Sequence, residues 1–204
     1  MTKLLTGSMM AAVVLMACNP VKQADRNAAK NTVVTVYPQS SFDSVAAKNA
    51  LTYGTGSISG VVFKRVAKQK GSIYTTKLWG KNVKVILFPV TPYFQEWYDL
   101  RKKKEGKLTR VYMSDAAVRF RVETFSDDYG RFTFEKMRPG KYFLQAFLDW
   151  YRPVNYKQYT GYATDGYYTT NYYEWKSYNE DHTSRLEEFV EVKSDGEMVQ
   201  VKLN

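Results

Sequence analysis

Histidine and cysteine are scarce in this chain: His182 is the single histidine and Cys18 the single cysteine. A hydrolytic zinc site draws on several histidine or cysteine ligands, and a serine nucleophile needs a histidine that the fold holds in place. His182 lies in the polar stretch 178–183, which predicts a solvated residue in a loop. Glycine runs at the spacing of a phosphate-binding loop are missing as well. The sequence therefore predicts a protein that is not an enzyme and has neither a metal site nor a cofactor.

Two adjacent carboxylates, Asp127 and Asp128, could suggest calcium binding. However, an EF-hand loop places acidic ligands at alternate positions, and that spacing does not occur here. A hairpin turn accounts for the same residues, with Asp127 accepting hydrogen bonds from nearby backbone amides and Gly130 taking a positive φ. We therefore expect a turn at this position.

The segment from Trp150 to Tyr178 is unusually rich in tyrosine and tryptophan. Such rings stack on sugars or fill pockets of a protein partner, and they lose little rotamer entropy on binding. The candidate ligand-binding residues are Trp150, Tyr151, Tyr167, Tyr168, Tyr172, Tyr173 and Trp175. The sequence leaves open an alternative, an extended hairpin whose tyrosines pack on the domain and on each other.

Alternation along 167–175 divides these rings between two strand faces. Tyr173 and Trp175 share one face, and Tyr168 and Tyr172 share the other. We expect the Tyr173/Trp175 face to pack on the domain, because Trp175 is the larger apolar body. The Tyr168/Tyr172 face is then expected to bind the ligand.

A basic cluster is formed by Arg101, Lys102, Lys103 and Lys104, in a chain of formal net charge +10. It is a candidate basic patch that steers an anionic partner, such as a charged glycan or an acidic protein surface. A solvated helix end, where cations meet the terminal carbonyls, accounts for the same residues and stays open as an alternative. Nucleic acid is not expected as a partner, because the leader described below directs the chain out of the cytoplasm.

The elements that position these residues are predicted to be mostly strands, because apolar side chains alternate with polar ones along much of the chain. Strands are expected at 83–88, 118–122, 132–134, 142–150, 190–192 and 199–203, with the last two forming a pair around a turn at Gly196. One helix interrupts the series, with Thr91 as its cap and Pro92 at its first position, and runs to about Lys104. Many short strands separated by turn signals predict an antiparallel β-sandwich.

The first third of the chain divides at about residue 51. Residues 18–51 are predicted to be a polar tether that ends in a short helix capped by Ser41, which leans on the domain. Residues 52–204 are predicted to form the sandwich, with an aromatic-rich insertion at 150–185.

The motif at Leu15–Cys18 resembles the lipobox of bacterial lipoprotein precursors, and residues 1–17 resemble the signal peptide that is removed. The resemblance implies a lipid anchor on Cys18. The apolar run at 9–16 is too short to span a bilayer of about 30 Å. Asn19 stands where an aspartate would indicate retention in the inner membrane. We therefore expect the outer membrane as the location, with the protein facing the periplasm.

Four motifs, at Gly56–Val62, Val83–Leu87, Ser126–Phe134 and Met137–Leu144, resemble those of bacterial carboxypeptidase-regulatory-like domains. That family has a prealbumin-like (transthyretin-like) β-sandwich, so the resemblance implies an all-β fold of about seven to eight strands, here with one short inserted helix. It implies no peptidase activity.

These observations predict a non-enzymatic outer-membrane lipoprotein. It would bind a glycan or an envelope protein through the aromatic insertion. Two alternatives stay open: a structural or assembly lipoprotein of a secretion system or other envelope machine, and an accessory domain of an enzyme.

Overall fold

The computed structural model describes residues 31–68 and 72–204. The predicted signal peptide and Cys18 lie outside these residues. The described strands are β1 (Val34–Val36), β2 (Gly56–Ala67), β3 (Thr75–Trp79), β4 (Lys84–Pro89), β5 (Thr109–Val111), β6 (Val122–Phe125), β7 (Arg131–Met137), β8 (Gly140–Thr164), β9 (Thr169–Val192) and β10 (Met198–Leu203). The described helices are α1 (Ser44–Ala50), α2 (Pro92–Lys104) and α3 (Asp115–Arg119).

Two four-stranded sheets pack face to face, which confirms the predicted all-β sandwich. In the first sheet, β2 pairs with β10, β7 and β3. The second sheet has the order β6-β4-β8-β9 and is antiparallel throughout. A small parallel pair, β1 with β5, lies outside both sheets.

The predicted pairing of the last two strands is wrong. β10 pairs with β2 in parallel, while β9 pairs with β8 in the other sheet. The turn at Ser194–Glu197, with Gly196 at φ 78°, therefore carries the chain from one sheet to the other. This route places Leu203 in the core with no exposure.

Every second residue of a strand faces inward, and these inward-facing residues form the core between the sheets. It contains Ile58, Val62, Val85, Leu87, Phe132, Phe134, Met137, Tyr142, Leu144, Ala146, Leu148, Leu186, Val190, Val192 and Leu203. Burial of each large apolar side chain contributes roughly 1.5–3 kcal/mol, so this cluster is the main source of stability.

The inserted helix α2 covers the outer face of the second sheet. The Thr91 hydroxyl accepts a hydrogen bond from the Phe94 amide, and Pro92 takes the first turn, as predicted. Phe94 and Trp97 pack against Phe143 of β8 and form a second apolar cluster. Near the base of β8 and β9, the outer face of the second sheet is therefore covered by α2.

The strand predicted at 118–122 is replaced by helix α3 over its first half. The Ser114 hydroxyl caps this helix by accepting a hydrogen bond from the Ala117 amide, and Asp115 occupies its first turn. The cap favours a helical turn locally, although Val118 and Val122 alternate as in a strand. β6 begins only at Val122. The described residues thus contain three helices, where the sequence predicted two.

Part of the predicted tether is structured. Val34–Val36 form β1, which pairs with Thr109–Val111. The helix that follows is capped by Asp43 rather than Ser41, because the Asp43 carboxylate accepts the amides of Val45 and Ala46. The ring of Phe42 contacts Tyr93 and Phe120, so this part of the chain leans on the domain as expected.

The turn predicted at Asp127 is confirmed. Its carboxylate accepts hydrogen bonds from the Tyr129 and Arg131 amides, and Gly130 has φ 76°. In the described part of the chain, no helix combines the length and the apolar character needed to cross a membrane.

Candidate functional site

β8 and β9 continue far beyond the sandwich. β4 stops pairing with β8 at Ala146, and the apolar core ends at Leu148 and Leu186. From residue 150 to residue 182 the two strands pair with each other alone, among the described residues. We call residues 150–182 the ribbon. At about 3.4 Å per residue, each of its arms is roughly 50 Å long.

The alternative of an extended hairpin is therefore confirmed for the backbone, but the rings do not pack on the domain. Every tyrosine of the ribbon, and Trp175, is exposed, from 43% for Tyr156 to 93% for Tyr167. The exposed rings are Tyr151, Tyr156, Tyr159, Tyr162, Tyr167, Tyr168, Tyr172, Tyr173, Trp175 and Tyr178.

The tip of the ribbon is a turn built around Asp165. Its carboxylate accepts the amides of Tyr168 and Tyr167 at 2.8 and 2.9 Å, and these bonds hold the pKa of Asp165 below its usual value. Gly166 has φ 93°, a conformation that suits glycine. The turn projects the rings of Tyr167 and Tyr168 into solvent.

The register of the two strands assigns each ribbon residue to a face. The core-side face continues the row of Tyr142 and Leu144, and the helix-side face continues the row of Phe143. A bulge between Tyr159 and Gly161 shifts the register near the tip, with Gly161 at φ 148°. Cross-strand partners share a face, so the bulge brings Tyr162 onto the helix-side face.

The helix-side face carries the larger set of rings: Tyr151, Tyr159, Tyr162, Tyr173 and Trp175. Tyr159 and Tyr173 are cross-strand partners whose ring centroids lie 5.7 Å apart. The Lys157 ammonium lies 5.1 Å from the centre of the Trp175 ring.

The predicted packing of the Tyr173/Trp175 face is wrong. Tyr173 is 55% exposed and Trp175 66% exposed. Helix α2 covers this face only beside the base of β8 and β9, and no described element covers it at Tyr173 and Trp175. Trp175 thus lies on an open surface despite its size.

The core-side face carries fewer aromatic rings. Tyr156 and Tyr178 form an edge-to-face pair at 6.0 Å, and Tyr172 lies nearer the tip. Tyr172, predicted to be on the binding face, is as exposed as Tyr178, at 53% each. Exposure alone therefore does not separate the two faces.

His182 lies in β9 opposite Trp150, not in a loop as predicted. The two rings stack at 4.4 Å, and the side chain of His182 keeps 30% of its exposure. Next to them, the Arg152 guanidinium bonds the Glu180 carboxylate at 2.5 Å and lowers the pKa of Glu180. These four side chains lie at the base of the core-side face, next to the end of the apolar core.

The predicted basic patch loses one of its four members. Arg101 is 4% exposed, and its guanidinium donates to both oxygens of Glu187 while stacking on Trp97 at 4.7 Å. Lys102, Lys103 and Lys104 are exposed at the end of α2. They lie on the same side of the second sheet as the helix-side face.

Opposing effects act on Glu187. Its burial raises the pKa, but hydrogen bonds from Arg101 and Gln145 outweigh that effect, so the pKa is lowered overall. Glu187 is therefore held as a carboxylate beneath the base of the ribbon. A buried pair of this kind fixes α2 against β9.

Charge is balanced in the aromatic insertion. Residues 150–185 contain four Lys or Arg and four Asp or Glu, whereas the whole chain has a formal net charge of +10. The ring-bearing surface is thus neutral, and the positive charge belongs to the rest of the chain. Within the described residues, no group of three or more His, Cys, Asp and Glu could hold a metal ion.

Sequence reasoning did not select Tyr156, Tyr159, Tyr162 and Tyr178 as site residues. The signal was the turn at Asp165–Gly166: folding the chain back at that point pairs Tyr159 with Tyr173 nearly in register. The bulge brings Tyr162 to the same face, and in the sequence only Gly161 indicates it.

No protein-family model matches the chain, and no curated protein matches it. The resemblance to carboxypeptidase-regulatory-like domains thus stays a prediction. A crystal structure from Pseudomonas aeruginosa, described as that of a candidate carbohydrate-binding protein, is similar to this chain. The identity is 21% and the TM-score 0.50, and the match covers 80% of this chain and 97% of that one. At this identity the similarity concerns the sandwich fold.

Proposed function

We propose that this protein is a non-enzymatic binding module that holds a polysaccharide chain along the helix-side face of its ribbon. One observation carries the proposal: the exposed rings Tyr151, Tyr159, Tyr162, Tyr173 and Trp175 share one face of a ribbon roughly 50 Å long. An extended polymer can contact such a row at several points.

The chemistry of the face favours sugars over a charged partner. Tyrosine and tryptophan present apolar ring faces beside a hydroxyl or an N–H, which matches the alternating C–H and O–H groups of a sugar. The neutral charge of 150–185 gives no preference for a polyanion. The structural neighbour's description as a candidate carbohydrate-binding protein supports the same ligand class.

The lysines at the end of α2 extend this surface. Lys102, Lys103 and Lys104 are exposed on the side of the sheet that carries the rings. They would attract acidic substituents of a glycan toward the base of the ribbon, which adds a salt-dependent contribution.

The test is binding of the purified protein to soluble oligosaccharides and to insoluble polysaccharides, with neutral and uronic-acid polymers in parallel. Replacing Tyr173 and Trp175 together by Ala should weaken binding at least about tenfold, because hot-spot residues, among which tyrosine and tryptophan are enriched, cost about 2 kcal/mol or more on truncation. The matched control replaces Tyr53 and Tyr74, two exposed tyrosines outside the ribbon, by Ala. Equal losses in both double variants, or wild-type binding after the ribbon substitution, would refute the proposal.

We also propose that the protein is anchored by lipid at Cys18 in the outer membrane and faces the periplasm. The support is the lipobox-like motif at Leu15–Cys18. Cys18→Ala should abolish incorporation of labelled fatty acid and move the protein into the soluble fraction. Continued acylation of this variant would disprove the anchor, while leaving the ribbon proposal intact.

A further inference from the structure

The outer edge of β9 presents backbone groups that have no strand partner in the described parts of the chain. The Lys141 carbonyl accepts a hydrogen bond from the Val90 amide on the far side of β8, so Lys141 and its cross-strand partner Glu191 point away from the β8–β9 seam. Alternation carries this outward orientation along β9 to Asn179. The pairing of Asn179 with Pro153 agrees, because proline has no N–H to donate across the seam.

The two edges of the ribbon differ. On the β8 edge, Pro153 removes one outward donor, and the bulge at 159–161 breaks the regular spacing. Such features prevent another strand from adding to an edge. The β9 edge from Thr169 to Arg185 has neither a proline nor a bulge. It is the edge open to strand addition.

We propose that this edge pairs antiparallel with β9 of a second copy of the chain, around a two-fold axis at Tyr178. In this register Lys176 lies opposite the second copy's Glu180, and Glu174 lies opposite the second copy's His182. The symmetry repeats each contact, and no like-charged residues face each other. Opposite charges in facing positions stabilise an antiparallel pair.

Registers centred at the neighbouring residues are worse, and a centre at Asn179 brings no opposite charges together. In an antiparallel pair, two facing residues both point their backbone N–H and C=O groups toward the partner strand or both point them away. The two-fold axis must therefore pass through a residue of β9 and not between two residues. Centres at Lys176, Glu180 or Asp181 place identical charges opposite each other, and a centre at Ser177 places Glu174 opposite Glu180. A centre at Trp175 avoids repulsion but pairs a shorter stretch, 169–181 rather than 169–187.

Two further observations favour a second copy as the occupant. Copies of a chain with formal net charge +10 repel each other, and the neutral segment 150–185 is where they can approach. A lone two-stranded ribbon is also marginally stable in water, whereas pairing two ribbons makes a four-stranded sheet. The ribbon gains the hydrogen bonds that its open edge lacks.

This inference does not rest on sugar binding. The edge pairs through its backbone, so the rings of the helix-side face stay available in the dimer. Tyr173→Ala with Trp175→Ala should abolish glycan binding and keep the dimer, while the edge variant below should do the reverse. Failure of one proposal is therefore distinguishable from failure of the other.

The first test measures self-association of the purified full-length protein by sedimentation equilibrium. Asn179→Pro removes an outward amide next to the two-fold axis and should raise the dimer dissociation constant at least tenfold. The control Asn155→Pro places the same change at an outward position of the β8 edge and should have no effect. A monomer at all concentrations up to about 1 mM, or equal effects of the two prolines, would overturn the proposal.

The second test fixes the register with cysteines in a Cys18→Ala background. Tyr178→Cys faces itself across the axis, at a position where antiparallel partners come closest, and should form an intermolecular disulfide on mild oxidation. Tyr172→Cys has the same exposure and lies on the same face, but faces Ser184 and should stay reduced. Cross-linking of Tyr172→Cys to the same extent would overturn the register.

Discussion

The same two strands, β8 and β9, build both the sandwich and the ribbon, yet their tyrosines differ completely in environment. Tyr142 is fully buried, and its hydroxyl shares its one proton between the carbonyls of Ala50 and Arg138, at 3.0 and 2.9 Å. Burial raises its pKa. Tyr178 lies on the same face of the same strand pair and is 53% exposed. The difference comes from the opposing sheet, which covers β8 and β9 at their base and is absent along the ribbon.

The comparison predicts that stability comes from the sandwich and recognition from the ribbon. Substitutions in the first region should therefore lower the free energy of unfolding, and substitutions in the second should change binding alone.

Arg101→Met is expected to have the largest effect. It leaves Glu187 partly buried without its bidentate partner, and breaking a buried pair in this way costs about 3–5 kcal/mol. Urea unfolding measures the change. Lys102→Met, on the same helix but at an exposed position, should change stability by less than about 0.5 kcal/mol. Similar effects of the two changes would show that α2 is not fixed by the buried pair.

The same pair should destabilise the domain in acid. The pKa of Glu187 is lower in the folded state, so its contribution is complete above the unfolded value of about 4.3. This contribution to stability is lost as the pH falls through the pKa that Glu187 has in the folded state. In Glu187→Gln this part of the acid dependence should disappear, which unfolding curves at pH 7 and pH 3 can measure. A wild-type pH dependence in that variant would assign the acid sensitivity to other carboxylates.

Gly130→Ala should follow, with a loss of about 3 kcal/mol. A Cβ atom at this position would lie 2.4 Å from the Val62 carbonyl oxygen, in a residue whose φ is 76°. The comparison is Gly166→Ala at the tip of the ribbon, where φ is also positive but nothing lies within 4 Å of the added atom. The positive φ strains Gly166→Ala as well, but this strain lies in the ribbon, so thermal unfolding of the sandwich should stay unchanged. An equal drop would mean that the ribbon and sandwich unfold together.

The sequence predicted the sandwich well because its signals are local. Phe132 and Phe134 alternate with polar residues and are buried, and the Asp127–Gly130 turn has the expected hydrogen bonds. The α2 helix was predictable for the same reason, since Thr91 and Pro92 define its start. Where a local cap competed with alternation, as at Ser114, the cap decided the structure.

The sequence could not predict what lies opposite each strand. Trp175 was expected to pack because of its size, but its burial depends on how far α2 covers the helix-side face. Arg101 belongs by sequence to a run of exposed cations. Its partner Glu187 lies 86 positions later, and only the tertiary fold brings the two together. Both errors concern contacts distant in the chain.

The aromatic face of the ribbon should be nearly neutral for stability. Tyr173→Ala with Trp175→Ala removes rings that contact solvent on their outer side, so the free energy of unfolding should change by less than about 1 kcal/mol. Phe143→Ala, in the same strand pair but beneath α2, should cost about 3–5 kcal/mol. A large loss in the ribbon variant would mean that these rings hold the ribbon together.

The smallest effect is expected at the tip. Asp165→Ala removes the acceptor of the Tyr167 and Tyr168 amides, so hydrogen exchange at these two amides should become faster. Thermal unfolding should not change, because the turn is exposed and far from the core. The pKa of Asp165 is lowered in the folded state. The ionised carboxylate therefore stabilises the turn fully at a pH above its unfolded pKa of about 3.9, and this contribution is lost as the pH falls through the folded pKa. Exchange at the two amides, corrected for its intrinsic pH dependence, should therefore rise in acid before the sandwich unfolds. If both regions lost protection at the same pH, the tip would be part of one cooperative unit with the sandwich, and the separation between the two regions would fail.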